Sequence, residues 1–141
     1  YGCGGYQPIF SNKENKLYIK SINVKNENSI SFKIEKNLSR YDVKKENSKE
    51  FEIILDTNQN IIVTSKDKKG DPKTYELIIN VSILVYEDSK LLSMKDFEEQ
   101  FGYAKIDSKF DQKQYEKNLA NDLTNEIIQK INAHLIILSQ W

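Results

Sequence analysis

The sequence is short of cysteine, proline, arginine and long hydrophobic runs, and these shortages exclude whole classes of structure. Cys3 is the one cysteine in 141 residues, so an intrachain disulfide cannot form. A metal site would need Cys3, His134 and carboxylates from distant parts of the chain, so we expect no metal and no other cofactor. No apolar run approaches the ~20 residues of a membrane-spanning helix, so we expect any membrane attachment to come from a lipid anchor alone.

An excess of charge of either sign is also missing. Lys and Arg together number 21, as do Asp and Glu. A protein that binds nucleic acid carries a strongly basic face, so this balance argues against a nucleic-acid partner. The sequence has no glycine-rich phosphate loop, no Gly-x-Ser-x-Gly elbow and no His-Glu-x-x-His pair. We therefore predict that the protein is not an enzyme and has no catalytic residues.

The first fifteen residues predict a tether rather than a helix or a strand, because residues 1–10 contain three glycines and a proline. Gly2 directly precedes Cys3, and a flexible run follows. A small residue before a cysteine is typical of the cleavage site of a bacterial lipoprotein signal, where the cysteine sulfur takes a diacylglycerol. We predict that Cys3 is the site of lipid attachment. The alternative is a lone buried thiol, since free cysteine often behaves as a small hydrophobic residue.

Residues 74–86 carry the clearest strand pattern. The odd-numbered positions from Tyr75 to Val85 are all apolar, whereas most even-numbered positions are polar. This period of two is typical of a strand with one buried face. At about 3.4 Å per residue the strand is long, which favours a central position in a sheet. We predict that Ile79 and Ile83 lie in the core, beneath a layer of helices.

The chain before this strand predicts a strand, a short helix and a second strand. Residues 16–25 alternate imperfectly, which indicates a strand either with a bulge or with two buried faces. Asn28 suits the N-cap of an amphipathic helix whose apolar stripe comprises Ile30, Ile34, Leu38 and Tyr41. Phe32 lies on the opposite side of that helix. It is either a single exposed aromatic side chain or a contact to a partner.

Two extended segments at 51–56 and 61–65 follow, and residues 58–60 are expected to relax the chain between them. Residues 66–72 predict a turn, because Gly70 and Pro72 both interrupt regular structure. After residue 86 a tight connection leads to a last strand at 90–103, with one slip of parity.

Residues 108–139 change to a helical pattern. One apolar stripe comprises Leu119, Ala120, Leu123, Ile127, Ile131 and Leu138. The opposite, polar side comprises Asn121, Asn125, Gln129 and Asn132. His134 falls within the apolar stripe, and no second histidine or nearby cysteine accompanies it. We therefore predict a partly buried, hydrogen-bonded side chain rather than a ligand or a catalytic group.

The predicted fold class is α+β: a four-stranded mixed sheet covered on one face by two helices, in the order β-α-β-β-β-α. Residues 1–15 form the tether and residues 16–141 form one domain, a size that can bury a core without metals or disulfides. We expect the first strand, its helix and the next strand to form a right-handed crossover unit, the hand of almost all parallel connections.

This order of elements behind a Cys-Gly tether resembles the lipopolysaccharide-assembly lipoproteins of the LptE family. The start Cys3-Gly4-Gly5-Tyr6-Gln7-Pro8-Ile9-Phe10 is similar to that family's Cys-Gly-aromatic-x-Pro-apolar-aromatic opening. The central strand running into Tyr86-Glu87-Asp88 and the helix at 115–135 match its later parts. Gly5 is an extra residue relative to the family pattern, and the last helix carries Asn where relatives often carry Ala or Arg.

The resemblance implies a protein anchored by its lipid at the periplasmic side of the outer membrane. Its implied partner is the large β-barrel that inserts lipopolysaccharide, in which it sits as a plug that also assists barrel assembly. The alternative is a lipid-anchored periplasmic domain that binds a small ligand or an envelope protein without entering a barrel.

The turn at 66–72 holds the densest positive charge on any predicted loop. Lipopolysaccharide carries phosphates on its lipid A, and an ammonium is a serviceable partner for phosphate. The hypothesis is that Lys66, Lys68 and Lys69 contact lipopolysaccharide. Asp67 and Asp71 partly cancel the local field, and the alternative is a turn with no role beyond solvation.

Overall fold

The computed structural model describes residues 16–140 as a single sheet with two helices on one of its faces. Four strands are present: β1 (Leu17–Val24), β2 (Lys49–Lys66), β3 (Pro72–Glu87) and β4 (Lys90–Ala104). The helices are α1 (Ser29–Leu38), followed by a short 3-10 turn at Ser39–Tyr41, and α2 (Lys109–Ser139). This order is the one that the sequence predicts.

The strands follow one another across the sheet in the order β1-β2-β3-β4. β1 runs parallel to β2, with α1 in the crossover between them. β2, β3 and β4 are successive antiparallel neighbours. The sheet is therefore mixed, and the predicted α+β class is confirmed. β3 lies between two strands along its whole length, as its alternating pattern indicates.

The core lies on the face of β3 that carries the odd-numbered side chains. From Leu77 to Val85 every odd position is completely buried. In register with them on β2 are Ile53 and Leu55, opposite Val85 and Ile83, and both are completely buried too. The predicted core positions Ile79 and Ile83 are confirmed.

Both helices bury apolar stripes against this face. α1 contributes Ile30, Ile34 and Leu38, and the 3-10 turn adds Tyr41. α2 contributes a longer row whose most buried members are Ile127, Ile131 and Leu135. Because α1 has no other apolar face, Phe32 is left 65% exposed on its outer side.

The bulge and the turns follow local chemistry. The β1 register slips between Ile19 and Ser21, as predicted. Asp88 and Ser89 link β3 to β4 with φ of 51° and 66°, which is the geometry of a two-residue hairpin whose twist matches its strands. Asn28 caps α1 through a reciprocal pair of hydrogen bonds with Ser31, each 2.9 Å long.

One prediction about the strands is wrong in detail. The relaxation expected at 58–60 does not occur, because those residues stay in register with Ile78, Ile79 and Asn80 of β3, and β2 is continuous. The last strand forms where predicted and its register slips once, between Leu91 and Ser93, while most of its apolar side chains are exposed. Among the large apolar side chains of β4, those of Phe97 and Tyr103 are buried in the core. The others stay exposed because β4 is an edge strand that only α2 covers.

The placement of Asn132 on a solvent-facing side of α2 is also wrong. Its Oδ1 accepts from the Tyr41 hydroxyl, and its Nδ2 donates to Asn37 Oδ1 at 2.9 Å and to the Ile128 carbonyl at 2.9 Å. The side of α2 that looks polar in sequence is therefore partly an interface with α1. A small polar cluster of Asn37, Tyr41 and Asn132 joins the two helices there.

His134 has the partly buried, hydrogen-bonded position that its pattern predicts. Its Nε2 lies 2.8 Å from the Ser93 hydroxyl on β4, and the imidazole meets the Phe97 ring edge-on. Burial, with a smaller contribution from the charge of Lys95, lowers the pKa of His134. The neutral imidazole is the form that this site favours.

Candidate functional site

The hairpin tip between β2 and β3 is a compact, internally bonded turn that presents lysines. Asp67 organises it: its Oδ1 accepts from the backbone N–H of Lys69 at 2.9 Å and of Asp71 at 3.0 Å. The backbone carbonyl of Asp67 accepts from the Gly70 N–H at 3.0 Å. Gly70 has a φ of 89°, a conformation that glycine adopts without strain.

The three predicted lysines of this tip are all exposed. Lys66 ends β2, while Lys68 and Lys69 lie in the turn. The salt bridges found within residues 16–140 do not involve them. The Asp67 carboxylate, by contrast, already accepts two backbone N–H groups. The structure thus brings Lys66, Lys68 and Lys69 together as solvated point charges that can approach an anionic ligand.

The tip and the start of β1 lie at opposite ends of the sheet. β1 begins opposite the first residue of β2, with Leu17 paired to Lys49. β2 then runs for 18 residues to Lys66, which is about 60 Å at the usual rise of a strand. The chain therefore enters the sheet at the end remote from the lysines.

The remaining predicted site residues lie apart from the tip. Phe32 is on the outer face of α1, a helix that begins beside Thr57, in the middle of β2: the Thr57 hydroxyl donates to Asn28 Oδ1 at 3.0 Å. Cys3 lies outside the described residues. The structure does not join these positions into one site.

Sequence reasoning missed a groove between α1, α2 and the second half of β2. We call it the lysine groove. It is open to solvent and has a volume of about 620 Å³, and its lining includes three lysines, Lys33, Lys113 and Lys117, and three apolar residues, Ile30, Ile61 and Ala120. The one acidic residue in its lining is Glu116. The i, i+4 spacing of Lys113 and Lys117 was a signal for one charged helix face, but Lys33 joins it only through the tertiary fold.

The acidic residue of the groove is already engaged. Glu116 Oε2 accepts from the Tyr103 hydroxyl at 2.6 Å and from Gln112 Nε2 at 3.3 Å. Burial, reinforced by the Glu116 carboxylate, raises the pKa of Tyr103, which keeps the phenol protonated. Lys33 donates to the side-chain and main-chain oxygens of Asn121, whereas no salt bridge within residues 16–140 involves Lys113 or Lys117. Because its lining has three lysines and one glutamate, the groove is electropositive.

Residues 16–140 contain no cluster of three potential metal ligands among His, Cys, Asp and Glu. Neither helix in this part of the chain has the length and hydropathy needed to cross a bilayer.

Comparison of the sequence with protein-family models finds no match, and comparison with curated proteins finds no significant match. Comparison of the fold finds close likenesses. Rare lipoprotein B from Shewanella oneidensis superimposes with a TM-score of 0.67 at 15% identity, over 84% of this chain and 92% of that one. The chain has the fold of a bacterial lipoprotein.

Two further structures agree with this likeness. An uncharacterized lipoprotein B from Nitrosomonas europaea matches with a TM-score of 0.63 at 17% identity, over 88% of this chain and 85% of its own. A minor lipoprotein from Acinetobacter baumannii matches with a TM-score of 0.64 at 10% identity, over 86% and 91%. The likeness covers nearly the whole length of each chain, and at these identities it shows a shared fold.

Proposed function

We propose that this protein is an outer-membrane lipoprotein that acts as the plug subunit of a lipopolysaccharide translocon. The observation that carries the proposal is the shared fold with three bacterial lipoproteins, over 84% or more of the chain, together with the Cys-Gly start at Cys3. In this role it assists assembly of a large β-barrel partner and the insertion of lipopolysaccharide. It performs no catalytic step and binds no nucleic acid.

The anchor in this proposal is a diacylglycerol on the sulfur of Cys3. A tether of about a dozen residues separates Cys3 from Leu17, where β1 begins. Since β1 begins at the end of the sheet remote from Lys66, the anchored end and the lysine tip point in opposite directions. With the lipid held in the inner leaflet of the outer membrane, the lysine tip would be the part of the sheet farthest from the anchor along the barrel axis.

The face of the sheet that the helices leave open suits the lumen of a barrel. Across its middle run two polar cross-strand rows, Asn58, Asn80 and Glu98 in one and Asp56, Ser82 and Asp96 in the next. Ser82 donates to Asp96 at 2.7 Å within the second row. The interior of an outer-membrane barrel is polar, so these two rows can face it without desolvating apolar surface. The row beside them, Ile54, Leu84 and Met94, is apolar.

In the same proposal, Lys66, Lys68 and Lys69 contact the phosphates of lipopolysaccharide, and Phe32 contacts the partner. An exposed ammonium attracts phosphate as a point charge. An aromatic ring that is 65% exposed gains most when a partner covers it. Both assignments concern side chains that no other described element covers.

The first test is of the anchor. A precursor that carries a lipoprotein signal is expressed in a Gram-negative host and labelled with a fatty-acid analogue, beside its Cys3→Ala variant. We expect label and outer-membrane fractionation for the parent chain and neither for the variant. Equal labelling of both proteins would remove Cys3 as the attachment site.

The second test is of the partner. The lipidated protein is purified in mild detergent, and the proteins that remain bound after gel filtration are identified by mass spectrometry. A stable complex with a large outer-membrane barrel is the expected result. Recovery of a monomer with a small ligand, or of another envelope protein without a barrel, would replace the plug by the alternative role of a periplasmic binding domain.

A further inference from the structure

One edge of β2 is left without a neighbouring strand. β1 accompanies β2 only as far as Leu55, and the chain then turns into α1. From Asn58 to Lys66 every residue of β2 is exposed. Within residues 16–140, no backbone hydrogen bond other than those to β3 and the tip joins this stretch. The free edge, as we call residues 58–63, is therefore open to pairing.

The direction of its backbone groups follows from one hydrogen bond. The Leu55 carbonyl accepts from the Lys25 N–H at 2.9 Å, so the main chain of Leu55 faces the β1 side. Strand geometry repeats every two residues. Gln59, Ile61 and Val63 therefore present their N–H and C=O groups to the free edge, while their neighbours bond to β3.

The free edge lacks the features that normally protect such an edge. Exposed edges usually carry charged side chains, proline or a bulge that discourages added strands. Residues 58–63 contain no charge and no proline, and the β2 register slips only beyond Val63. Ile61 and Ile62 are 37% and 39% exposed. The outer edge of β4 differs, since it carries Lys90, Lys95, Asp96, Glu98 and Glu99.

The lysine groove lies directly beside this edge. Gln59 and Ile61 belong to its lining, so a strand added to the edge would run along the groove with alternate side chains facing the helices. Those side chains would meet Lys33, Lys113 and Lys117. The other side chains would lie beside Ile62 on the open face of the sheet. The three lysines select acidic residues for the first set, and the exposed Ile62 favours apolar residues for the second.

We propose that the free edge accepts an extended segment of a partner polypeptide, in which acidic and apolar residues alternate, as a fifth strand of the sheet. Main-chain hydrogen bonds to Gln59, Ile61 and Val63 supply the attachment, and the lysine groove supplies the selectivity. Strand addition of this kind is an established mode of peptide recognition. The inference is independent of the barrel partner and of lipid attachment.

The test uses the complete 141-residue chain and a peptide of four Glu-Val repeats. We expect saturable binding, and amide hydrogen exchange that slows at Gln59, Ile61 and Val63. The amides of Asn58, Asn60 and Ile62 should change little, because they already bond to β3. A peptide of the same composition with its four Glu before its four Val, and a peptide of four Lys-Val repeats, should each bind at least about tenfold more weakly.

Substitutions at Ile61 separate backbone pairing from side-chain contact. Ile61→Pro removes an N–H that faces the free edge and spares the ladder to β3, a position where strands tolerate proline. Ile61→Ala keeps that N–H. Binding should be lost in the first variant and only reduced in the second. If the proline variant does not fold, the exchange pattern of the parent chain still decides, and protection elsewhere or nowhere overturns the proposal.

Charge reversal tests the groove. Lys113→Glu with Lys117→Glu should weaken Glu-Val binding about tenfold and favour the Lys-Val peptide. The matched control, Lys90→Glu with Lys105→Glu, makes the same change of net charge on the β4 side of the sheet and should leave binding unchanged. Equal effects of the two pairs would overturn the selectivity.

Sedimentation of the chain without peptide tests whether a second copy fills the edge. A concentration-dependent dimer that protects the same amides would show that it does, and this result would overturn the proposed occupant.

Discussion

At the scale of single residues, the parity of β3 decides which side chains the fold needs. Ile79 and Ile83 are completely buried beneath the helices, so Ile79→Ala or Ile83→Ala should lower the free energy of unfolding by about 2 to 5 kcal/mol. Urea denaturation measures the change. Ile62→Ala, on the open face at 39% exposure, is the control and should cost less than about 1 kcal/mol. Midpoints unchanged by the buried substitutions would contradict the assigned parity.

The polar cluster between the helices makes Asn132 a second sensitive residue. Asn132→Ala leaves the Tyr41 hydroxyl and the Asn37 side chain without their shared partner, which should cost about 1 to 3 kcal/mol. Asn125→Ala, an exposed asparagine on the same helix, should change the free energy of unfolding by no more than about 0.5 kcal/mol. Equal effects in thermal unfolding would mean that the cluster does not join α1 to α2.

His134 should make stability depend on pH. Its pKa is lowered in the folded protein, chiefly by burial, so on acidification the unfolded chain takes up a proton first. The free energy of unfolding should therefore fall as pH drops from about 7 to about 5.

The variant His134→Gln identifies the source of that dependence. Glutamine cannot titrate but can still bond to Ser93, so the fall of stability with pH should become shallower in the variant. Denaturation curves at several pH values provide the comparison. An unchanged slope would assign the dependence to the carboxylates instead.

At the scale of elements, the two helices begin with caps of different strength. Asn28 Oδ1 accepts from the Ser31 N–H and from the Thr57 hydroxyl, and so ties α1 to β2. Ser108 caps α2 with one exposed hydrogen bond of 3.2 Å to the Asp111 N–H. Asn28→Ala should therefore cost about 1 to 2 kcal/mol and Ser108→Ala about 0.5 to 1 kcal/mol. The reverse order in chemical denaturation would show that the Thr57 bond contributes nothing.

At the scale of the whole molecule, the sheet separates the start of β1 from the lysine tip. In the proposed function, replacing Lys66, Lys68 and Lys69 by Ser should weaken lipopolysaccharide binding and abolish most of its salt dependence, because exposed charges are screened within ~10 Å at 0.1 M salt. Binding is measured at low and high salt, after the barrel complex is shown to form.

A control with the same loss of charge makes this result specific to the tip. In this control, Ser replaces three exposed lysines: Lys20 on β1, Lys25 just after β1 and Lys36 on α1. Binding by this control should match the parent chain. If both triple variants behave like the parent, the tip has no part in lipopolysaccharide contact and the protein acts as a structural plug.

The chain order of the elements, the bulge in β1, the caps and the buried face of β3 could be predicted from sequence. Each is encoded by neighbours in the chain: a period of two in residues 74–86, an Asn at the first turn of α1, a Gly and a Pro at the tip.

Only the tertiary structure decided the features that elements distant in the chain share. β1 stops at Val24, opposite Leu55 of β2, because the chain must leave the sheet to form α1. The rest of β2 is left with an unpaired edge that no local pattern records. Lys33 and Lys117 form one groove, and Asn37 and Asn132 one polar cluster, because α1 packs against α2. Periodicity distinguishes a buried from an exposed face of one element, but the partner of that face depends on how the elements pack together.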